Sequence, residues 1–181
     1  MNNFDLHTPT RILFGKGAIE KLREQIPAEA RVLITYGGGS VKKTGVLDQV
    51  LTALNGLDVL EFGGIEPNPS YETLMNAVKL AREEKVTFLL AVGGGSVLDG
   101  TKFIAAAAHY DANIDPWEIL ETYGSKIASA IPMGSVLTLP ATGSESNKGA
   151  VISRKTTGDK RAFMSSHVQP QFAILDRKSV V

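Results

Sequence analysis

Short apolar runs alternate with amphipathic segments along most of the chain. The runs are rich in Val, Ile, Leu and Phe, which favour strands, and the predicted strands cover residues 11–15, 31–36, 58–62 and 87–92. Between them, apolar residues recur at helical spacing, and the predicted helices cover residues 18–25, 46–54, 74–81 and a segment that ends near Ala108. Further along, residues 116–120 predict a helical turn, and the later strand candidates are residues 136–139, 150–153, 161–164 and 172–176.

This alternation predicts an α/β fold with a doubly wound, mostly parallel sheet. Residues 87–92 are apolar throughout, as a strand covered on both faces requires. The chain contains no repeat other than the strand–helix unit and no clear internal boundary. We therefore expect residues 1–181 to form one domain.

Composition excludes several classes of function. The 19 basic and 19 acidic side chains cancel, which argues against nucleic acid or an anionic membrane as a partner. The absence of cysteine excludes disulfides, cysteine-ligated metal sites and thiol nucleophiles. The first residues do not resemble a signal peptide, and every apolar run is far shorter than the ~20 residues that span a bilayer. We expect a cytoplasmic protein.

A glycine-rich turn, Gly93-Gly94-Gly95-Ser96, follows the most apolar strand and precedes a predicted helix. Glycines let a backbone approach a phosphate, and a helix N-terminus supplies free N–H groups and a partial positive charge. The alternative is a simple capped helix, because Ser96 and Asp99 have the spacing of a capping box. Three successive glycines favour phosphate binding, although the motif is neither the spaced-glycine dinucleotide fingerprint nor a P-loop.

A second turn, Gly37-Gly38-Gly39-Ser40, bears on the choice of cofactor. Sites that select NAD commonly place a carboxylate against the ribose hydroxyls, but no Asp or Glu occurs between Tyr36 and Val46. The turn is instead followed by Lys42 and Lys43, which would attract a 2′-phosphate. This pattern favours NADP(H), unless both lysines only form the solvated face of a helix.

A third segment, residues 138–147, is dense in hydroxyl groups. Thr138, Thr142, Ser144 and Ser146 could hydrogen-bond a cofactor, or they could satisfy the backbone of their own turn. Thr142 and Glu145 again have capping-box spacing. The spacing alone leaves both interpretations open.

Three segments, residues 9–15, 93–99 and 138–145, resemble motifs of the iron-dependent (group III) alcohol dehydrogenases and occur in the same order along the chain. The resemblance extends to about Asp176. It implies that residues 1–181 form a Rossmann-like dinucleotide-binding domain, which an all-helical domain follows in this family, with the active site between the two. It also implies NADPH-dependent reduction of small aldehydes to alcohols. Members of this family that use NAD tend to carry an aspartate near Gly38. Glycerol dehydrogenases and dehydroquinate synthases share the fold, but the neutral second turn and the 138–145 loop argue against them.

The resemblance also implies roles for individual residues. Gly94, Gly95 and Ser96 would hold the pyrophosphate, and Asp99 would lie near the nicotinamide. Gly37, Gly38 and Ser40, with Asn68 and Tyr71, would border the adenosine 2′-phosphate. The remaining expected cofactor contacts are Thr138, Thr142, Asn147 and Lys160.

The divalent metal of this family, iron or zinc, is held by one aspartate and three histidines of the helical domain. Those positions would lie beyond residue 181, and His7, His109 and His167 lack metal-ligand spacing, so we expect them in loops or at the surface. Residues 176–181 also depart from the family pattern, in which a connection to the helical domain would follow. Since we expect the helical domain to be absent, we expect no metal ligand and no catalytic residue in this chain. The isolated chain would bind NADPH without turnover, as a cofactor-binding module, and its exposed apolar surface would favour a homo-oligomer such as a dimer.

Overall fold

The computed structural model describes residues 8–176, and within this range six strands form one parallel sheet and two form an antiparallel ribbon. The strands are β1 (Arg11–Gly15), β2 (Arg31–Tyr36), β3 (Asp58–Phe62), β4 (Phe88–Gly94), β5 (Met133–Leu139), β6 (Gly149–Arg154), β7 (Asp159–Met164) and β8 (Phe172–Asp176). The order across the sheet is β1-β8-β5-β4-β2-β3, and every neighbouring pair is parallel. The α/β fold predicted from the sequence is confirmed.

Helices connect these strands close to the predicted positions. The α-helices are α1 (Ser40–Lys43), α2 (Val46–Ala53), α3 (Tyr71–Glu83), α4 (Gly95–Ala108) and α5 (Glu118–Glu121). The segment Ala18–Gln25 is helical as predicted, but it forms a 3-10 helix, and Ser166–Val168 forms a second one. No helix in the described range is both long and apolar enough to cross a membrane.

Both faces of the sheet are covered, and β4 shows this most clearly. Phe88, Leu90 and Val92 pack into the apolar cluster that includes α2 and the first 3-10 helix. Leu89 and Ala91 pack into the cluster on the other face, which includes α3 and α4. Alternate side chains of β4 therefore enter two different cores, which explains why the strand is apolar at every position.

The two strand candidates at residues 150–153 and 161–164 form strands, but they do not join the parallel sheet. They form the antiparallel ribbon β6–β7, which packs against α4. Ala150, Ile152 and Phe163 are buried in the core beside α4, whereas Val151 is exposed. This period-2 alternation is typical of a strand with one face on the core.

A buried lysine holds the start of the ribbon against α4. Lys102 is fully buried, and its ammonium donates hydrogen bonds of 2.8 Å to the Gly149 carbonyl and of 2.8 Å to Asn147 Oδ1. Burial lowers the pKa of Lys102 to about 8, although the nearby charges of Asp99 and Glu145 oppose this shift.

The far end of the ribbon is held by two carboxylates. Glu66 accepts hydrogen bonds of 2.7 Å from Lys155 Nζ and of 2.7 Å from Thr73 Oγ1. Glu72 accepts from the backbone N–H groups of Lys155 and Thr156. Burial alone would raise the pKa of Glu66, but the hydrogen bonds from Lys155 and Thr73 outweigh it and lower the pKa to about 2.

From the lowered pKa of Lys102 we predict how the free energy of unfolding changes at alkaline pH. Between the folded value of about 8 and the ordinary value of 10.5, the unfolded chain binds more protons, so this group's contribution to stability rises with pH. We expect the difference in free energy of unfolding between wild type and Lys102→Met to shift in favour of wild type across this range. Urea unfolding at several pH values measures it. The exposed Lys21→Met is the control, and a difference that does not change with pH contradicts the prediction.

For Glu66 we predict a stabilising contribution that is lost at acidic pH. Its folded pKa of about 2 lies below the ordinary 4.5, so its stabilising contribution is complete above 4.5 and is lost as the pH falls towards 2. Glu66→Gln should cost about 1 kcal/mol or less at neutral pH, because the side chain is partly exposed. Urea unfolding at several pH values should show that the loss of stability caused by Glu66→Gln becomes smaller as the pH falls. The exposed Glu121→Gln is the control and should show no such change. A loss that is the same at every pH would disprove the lowered pKa of Glu66.

Candidate nucleotide-binding site

The two glycine-rich turns lie side by side at the edge of the sheet where the winding direction reverses. From β2 the chain continues outward to β3, whereas from β4 it continues in the other direction to β5. β2 and β4 are neighbours, with Tyr36 opposite Val92, so the turns that follow them are adjacent. Open parallel sheets bind ligands at this switch point, beyond the carboxyl ends of the strands.

Helix α4 begins at this point without a side-chain cap from any described residue. Its N-cap is Gly94, and the capping box suggested by Ser96 and Asp99 does not form. Ser96 Oγ instead accepts a hydrogen bond of 3.3 Å from the backbone N–H of Asn68. The capping interpretation of this turn is therefore wrong, and the first N–H groups of α4 remain available to an anion.

Glycine at position 95 leaves room in front of the helix. A Cβ atom there would lie 2.9 Å from Thr142 Oγ1 and 3.7 Å from Ser144 Oγ. Only glycine therefore fits this position without displacing the Thr142 side chain. A Cβ at Gly94 would meet only Leu139, at an ordinary 3.6 Å.

The hydroxyl-rich loop after β5 turns back towards α4. No helix begins at Thr142, so its capping box with Glu145 does not form either. Thr142 Oγ1 lies 2.8 Å from Ser144 Oγ, which donates a hydrogen bond of 2.9 Å to Asp99 Oδ1. Asp99 Oδ2 accepts from the backbone N–H of Val151 at 3.0 Å. Burial raises the pKa of Asp99, against the effect of these two hydrogen bonds and of the charge of Lys102.

Lys102 was not among the residues predicted from the sequence, yet it positions one that was. Asn147 Oδ1 accepts hydrogen bonds from Lys102 Nζ at 2.8 Å and from the Gly149 N–H at 3.0 Å. The Asn147 side-chain oxygen is thus engaged by these two donors. The signal in the sequence is the spacing of Lys102 from Asp99, which differ by three positions and lie on the same side of α4.

Asn68 and Lys160 meet across the opening of the site. Lys160 Nζ donates a hydrogen bond of 2.8 Å to Asn68 Oδ1. Asn68 has a left-handed backbone with φ of 57°, a conformation that asparagine tolerates better than most residues. Through its N–H and its side chain, this one residue connects α4 to the ribbon.

The Gly37–Ser40 turn has a carboxylate neighbour that comes from the next strand. Lys42 Nζ lies 3.9 Å from Glu61 Oε2, and the Tyr36 hydroxyl donates to the same oxygen at 3.1 Å. The hydrogen bond with Tyr36 and the charge of Glu61 raise the pKa of Lys42. The sequence interval between Tyr36 and Val46 contains no acid, but the fold brings Glu61 close to it.

Tyr71 faces away from the opening. Its hydroxyl donates to Asp115 Oδ1, and its ring packs edge-on against Phe103 and Trp117 with centroids 5.7 and 5.4 Å apart. The Arg154 guanidinium lies 5.0 Å from the centre of the same ring. These contacts give Tyr71 a packing role, and its contact with a cofactor stays a prediction.

A cleft of about 970 Å³ runs between the α4 N-terminus, the hydroxyl-rich loop and the ribbon. The predicted residues that line it are Asn68, Gly95, Ser96, Asp99, Thr142, Asn147 and Lys160. The predicted residues outside its lining are Gly37, Gly38, Ser40, Tyr71, Gly94 and Thr138. Three exposed apolar side chains, Tyr123, Leu139 and Met164, also line the cleft and were missed from the sequence.

The histidines lie away from this cleft or outside the described part of the chain. His109 and His167 are exposed, as predicted, and His7 lies outside residues 8–176. Within that range, no three histidine or carboxylate side chains come together in a way that could hold a metal ion.

Comparisons with known proteins agree with this geometry. The family model for iron-containing alcohol dehydrogenases matches residues 9–177. The chain is 85% identical over 176 residues to the NADPH-dependent aldehyde reductase YqhD of Escherichia coli (strain K12), covering 97% of this chain and 46% of that protein. It is 48% identical over 179 residues to the probable NADH-dependent butanol dehydrogenase 1 of Bacillus subtilis (strain 168), with the same shares covered.

The solved structures give the same result. The crystal structure of E. coli K-12 YqhD superposes with a TM-score of 0.94 at 84% identity, covering 97% of this chain and 45% of that one. The chain thus spans about half the length of the relatives it matches. With the family model matching nearly its whole length, the chain belongs to the iron-containing alcohol dehydrogenase family.

Proposed function

We propose that residues 1–181 form the NADP(H)-binding half of an aldehyde reductase. The observation that carries the proposal is the uncapped N-terminus of α4, which opens onto a large cleft at the switch point of a parallel sheet. Free N–H groups and the helix dipole favour an anion there, and the absence of a side chain at Gly95 leaves space for a pyrophosphate.

The contacts that we propose for the rest of the dinucleotide lie partly in the cleft lining and partly outside it. Gly94, Gly95 and Ser96 would hold the pyrophosphate, and Lys160 would add a positive charge from the ribbon. Thr138, Thr142 and Asn147 would contact the nicotinamide half, and Gly37, Gly38, Ser40 and Asn68 the adenosine half. When bound, the reduced nicotinamide supplies the hydride.

The activity that we propose for the whole protein is the reduction of small aldehydes to alcohols with NADPH. The support is the 85% identity to a protein described as an NADPH-dependent aldehyde reductase. The described residues do not fit the metal of the family, because no group of suitable ligands comes together among them. We propose that iron or zinc is held by the remainder of such a protein.

We also propose that the protein associates with itself. β1 lies at one edge of the sheet, and on it Ile12 is 50% and Phe14 is 70% exposed. An edge strand that carries two exposed apolar side chains favours association over a monomer.

The preference for NADPH is tested at Gly38. A Cβ atom there would meet no other atom within 4 Å, so Gly38→Asp adds a charge without strain. We expect a carboxylate to repel the 2′-phosphate and to reduce the NADPH-over-NADH preference at least about tenfold, roughly 1.4 kcal/mol. Calorimetric titration with both cofactors measures the ratio, and Gly38→Asn controls for bulk. If Asn and Asp have equal effects, charge at this turn does not select the cofactor.

The approach of the pyrophosphate is tested at Gly95. Gly95→Ala places a Cβ 2.9 Å from Thr142 Oγ1, and Gly95→Val fills the space further. We expect NADPH affinity to fall at least about tenfold for Ala, or roughly 1.4 kcal/mol, and further for Val, with thermal unfolding little changed. Fluorescence titration of NADPH gives the affinities, and Gly94→Ala should be milder. Normal NADPH binding by Gly95→Val would mean that the loop only begins a helix.

A further inference from the structure

Three side chains on the wall of the cleft form a continuous row of hydrogen bonds. Asp99 lies at one end of the row, Ser144 in the middle and Thr142 at the other end. Ser144 is 4% exposed, whereas Thr142 is exposed to the cleft. The row spans two elements that are far apart in the sequence, α4 and the loop after β5.

The direction of each hydrogen bond in this row is determined by the Asp99 carboxylate at one end. An ionised carboxylate only accepts, and Asp99 uses Oδ2 for the Val151 N–H and Oδ1 for Ser144. Ser144 has one proton and donates it to Asp99. Its oxygen must then accept in the contact of 2.8 Å with Thr142, so Thr142 in turn donates its proton to Ser144.

Thr142 therefore presents only lone pairs to the cleft. Its Oγ1 lies beside the first residue of α4, only 2.9 Å from the position of a Cβ at Gly95. A phosphate oxygen carries no proton to donate, so it could form no hydrogen bond with Thr142 Oγ1, and the contact of two acceptors would be unfavourable. The matching ligand group at this point is an N–H or O–H donor.

We propose that Asp99, acting through Ser144, makes Thr142 an obligatory hydrogen-bond acceptor for a donor group on the cofactor. The donor is either the nicotinamide carboxamide or a hydroxyl of the adjoining ribose. The proposal rests on the proposed NADP(H) function and adds to it a role: Asp99 is a positioning residue that sets the polarity of the row.

Asp99→Asn reverses that polarity with little change in shape. The asparagine Oδ1 keeps the Val151 N–H, because that backbone donor cannot become an acceptor, so Nδ2 faces Ser144 and donates to it. Ser144 then donates to Thr142, and Thr142 presents a proton to the cleft. Removal of a negative charge should by itself favour an anionic ligand, so a loss of affinity would run against the simple electrostatic effect.

The experiment titrates wild type and Asp99→Asn with NADPH, 2′-phospho-ADP-ribose and 2′-phospho-ADP. The first contains the carboxamide and both riboses, the second lacks only the nicotinamide, and the third lacks the nicotinamide and its ribose but keeps both phosphates of the pyrophosphate. We expect Asp99→Asn to weaken NADPH binding about tenfold, corresponding to ~1.4 kcal/mol, and to leave the binding of 2′-phospho-ADP unchanged or tighter. Equal weakening of the second ligand identifies a ribose hydroxyl, and weakening of NADPH alone identifies the carboxamide.

The second part of the experiment uses Thr142→Val, because valine has the shape of threonine but lacks the hydroxyl oxygen that accepts the hydrogen bond. In this background Asp99→Asn should not weaken NADPH binding further, which a general disturbance of the fold would not reproduce. Unchanged or tighter NADPH binding by Asp99→Asn, equal weakening of all three ligands, or additive effects in the double variant would overturn the proposal. If wild type binds none of the three, the proposed function itself fails.

Discussion

Strand β4 lies in the middle of a parallel sheet that is covered on both faces, so its side chains must be apolar until the chain leaves the sheet. The open end of the strand is therefore the first place where polar chemistry can begin. There the register to β5 shifts between Gly93 and Gly94, and α4 starts one residue later without a cap. The same packing that hides β4 thus concentrates unsatisfied backbone N–H groups at one point of the surface.

Helix α4 has two roles that follow from its position. Its first turn faces the cleft, and further along the same helix Lys102 is buried under the wall of that cleft. Burial of an ammonium group is costly unless it donates hydrogen bonds, and here it donates to one side-chain oxygen, Asn147 Oδ1, and to one backbone oxygen, the Gly149 carbonyl. The wall and the helix start are consequently one unit, since displacement of the ribbon would leave a buried charge without partners.

Much of the fold and part of the site could be predicted from the sequence, because strand periodicity and glycine turns are local signals. What the sequence could not provide depends on distant chain segments. Glu61 approaches Tyr36 and Lys42, on either side of the Gly37–Ser40 turn, only because β3 lies beside β2. The spacing of Asp99 and Lys102 is visible in the sequence, but the acceptors of the buried Lys102 ammonium lie 45 and 47 positions further along the chain. The capping boxes at Ser96 and Thr142 had the right spacing, but neither forms. The distant Asn68 engages the Ser96 hydroxyl, and Ser144 of the same loop engages the Thr142 hydroxyl.

The position of β8 has a consequence for the order in which the fold can assemble. β8 lies between β1 and β5, and β1 pairs with it from Arg11 opposite Phe172 onward. During synthesis β1 therefore has no neighbour in the sheet until nearly all of the described chain has been made. A contact this distant closes late and slowly, because the entropy of the intervening loop must be lost first. The apolar β1 segment therefore stays unpaired and exposed to solvent until β8 is made. During this time chaperones or a strand of another chain can bind β1 in competition with β8.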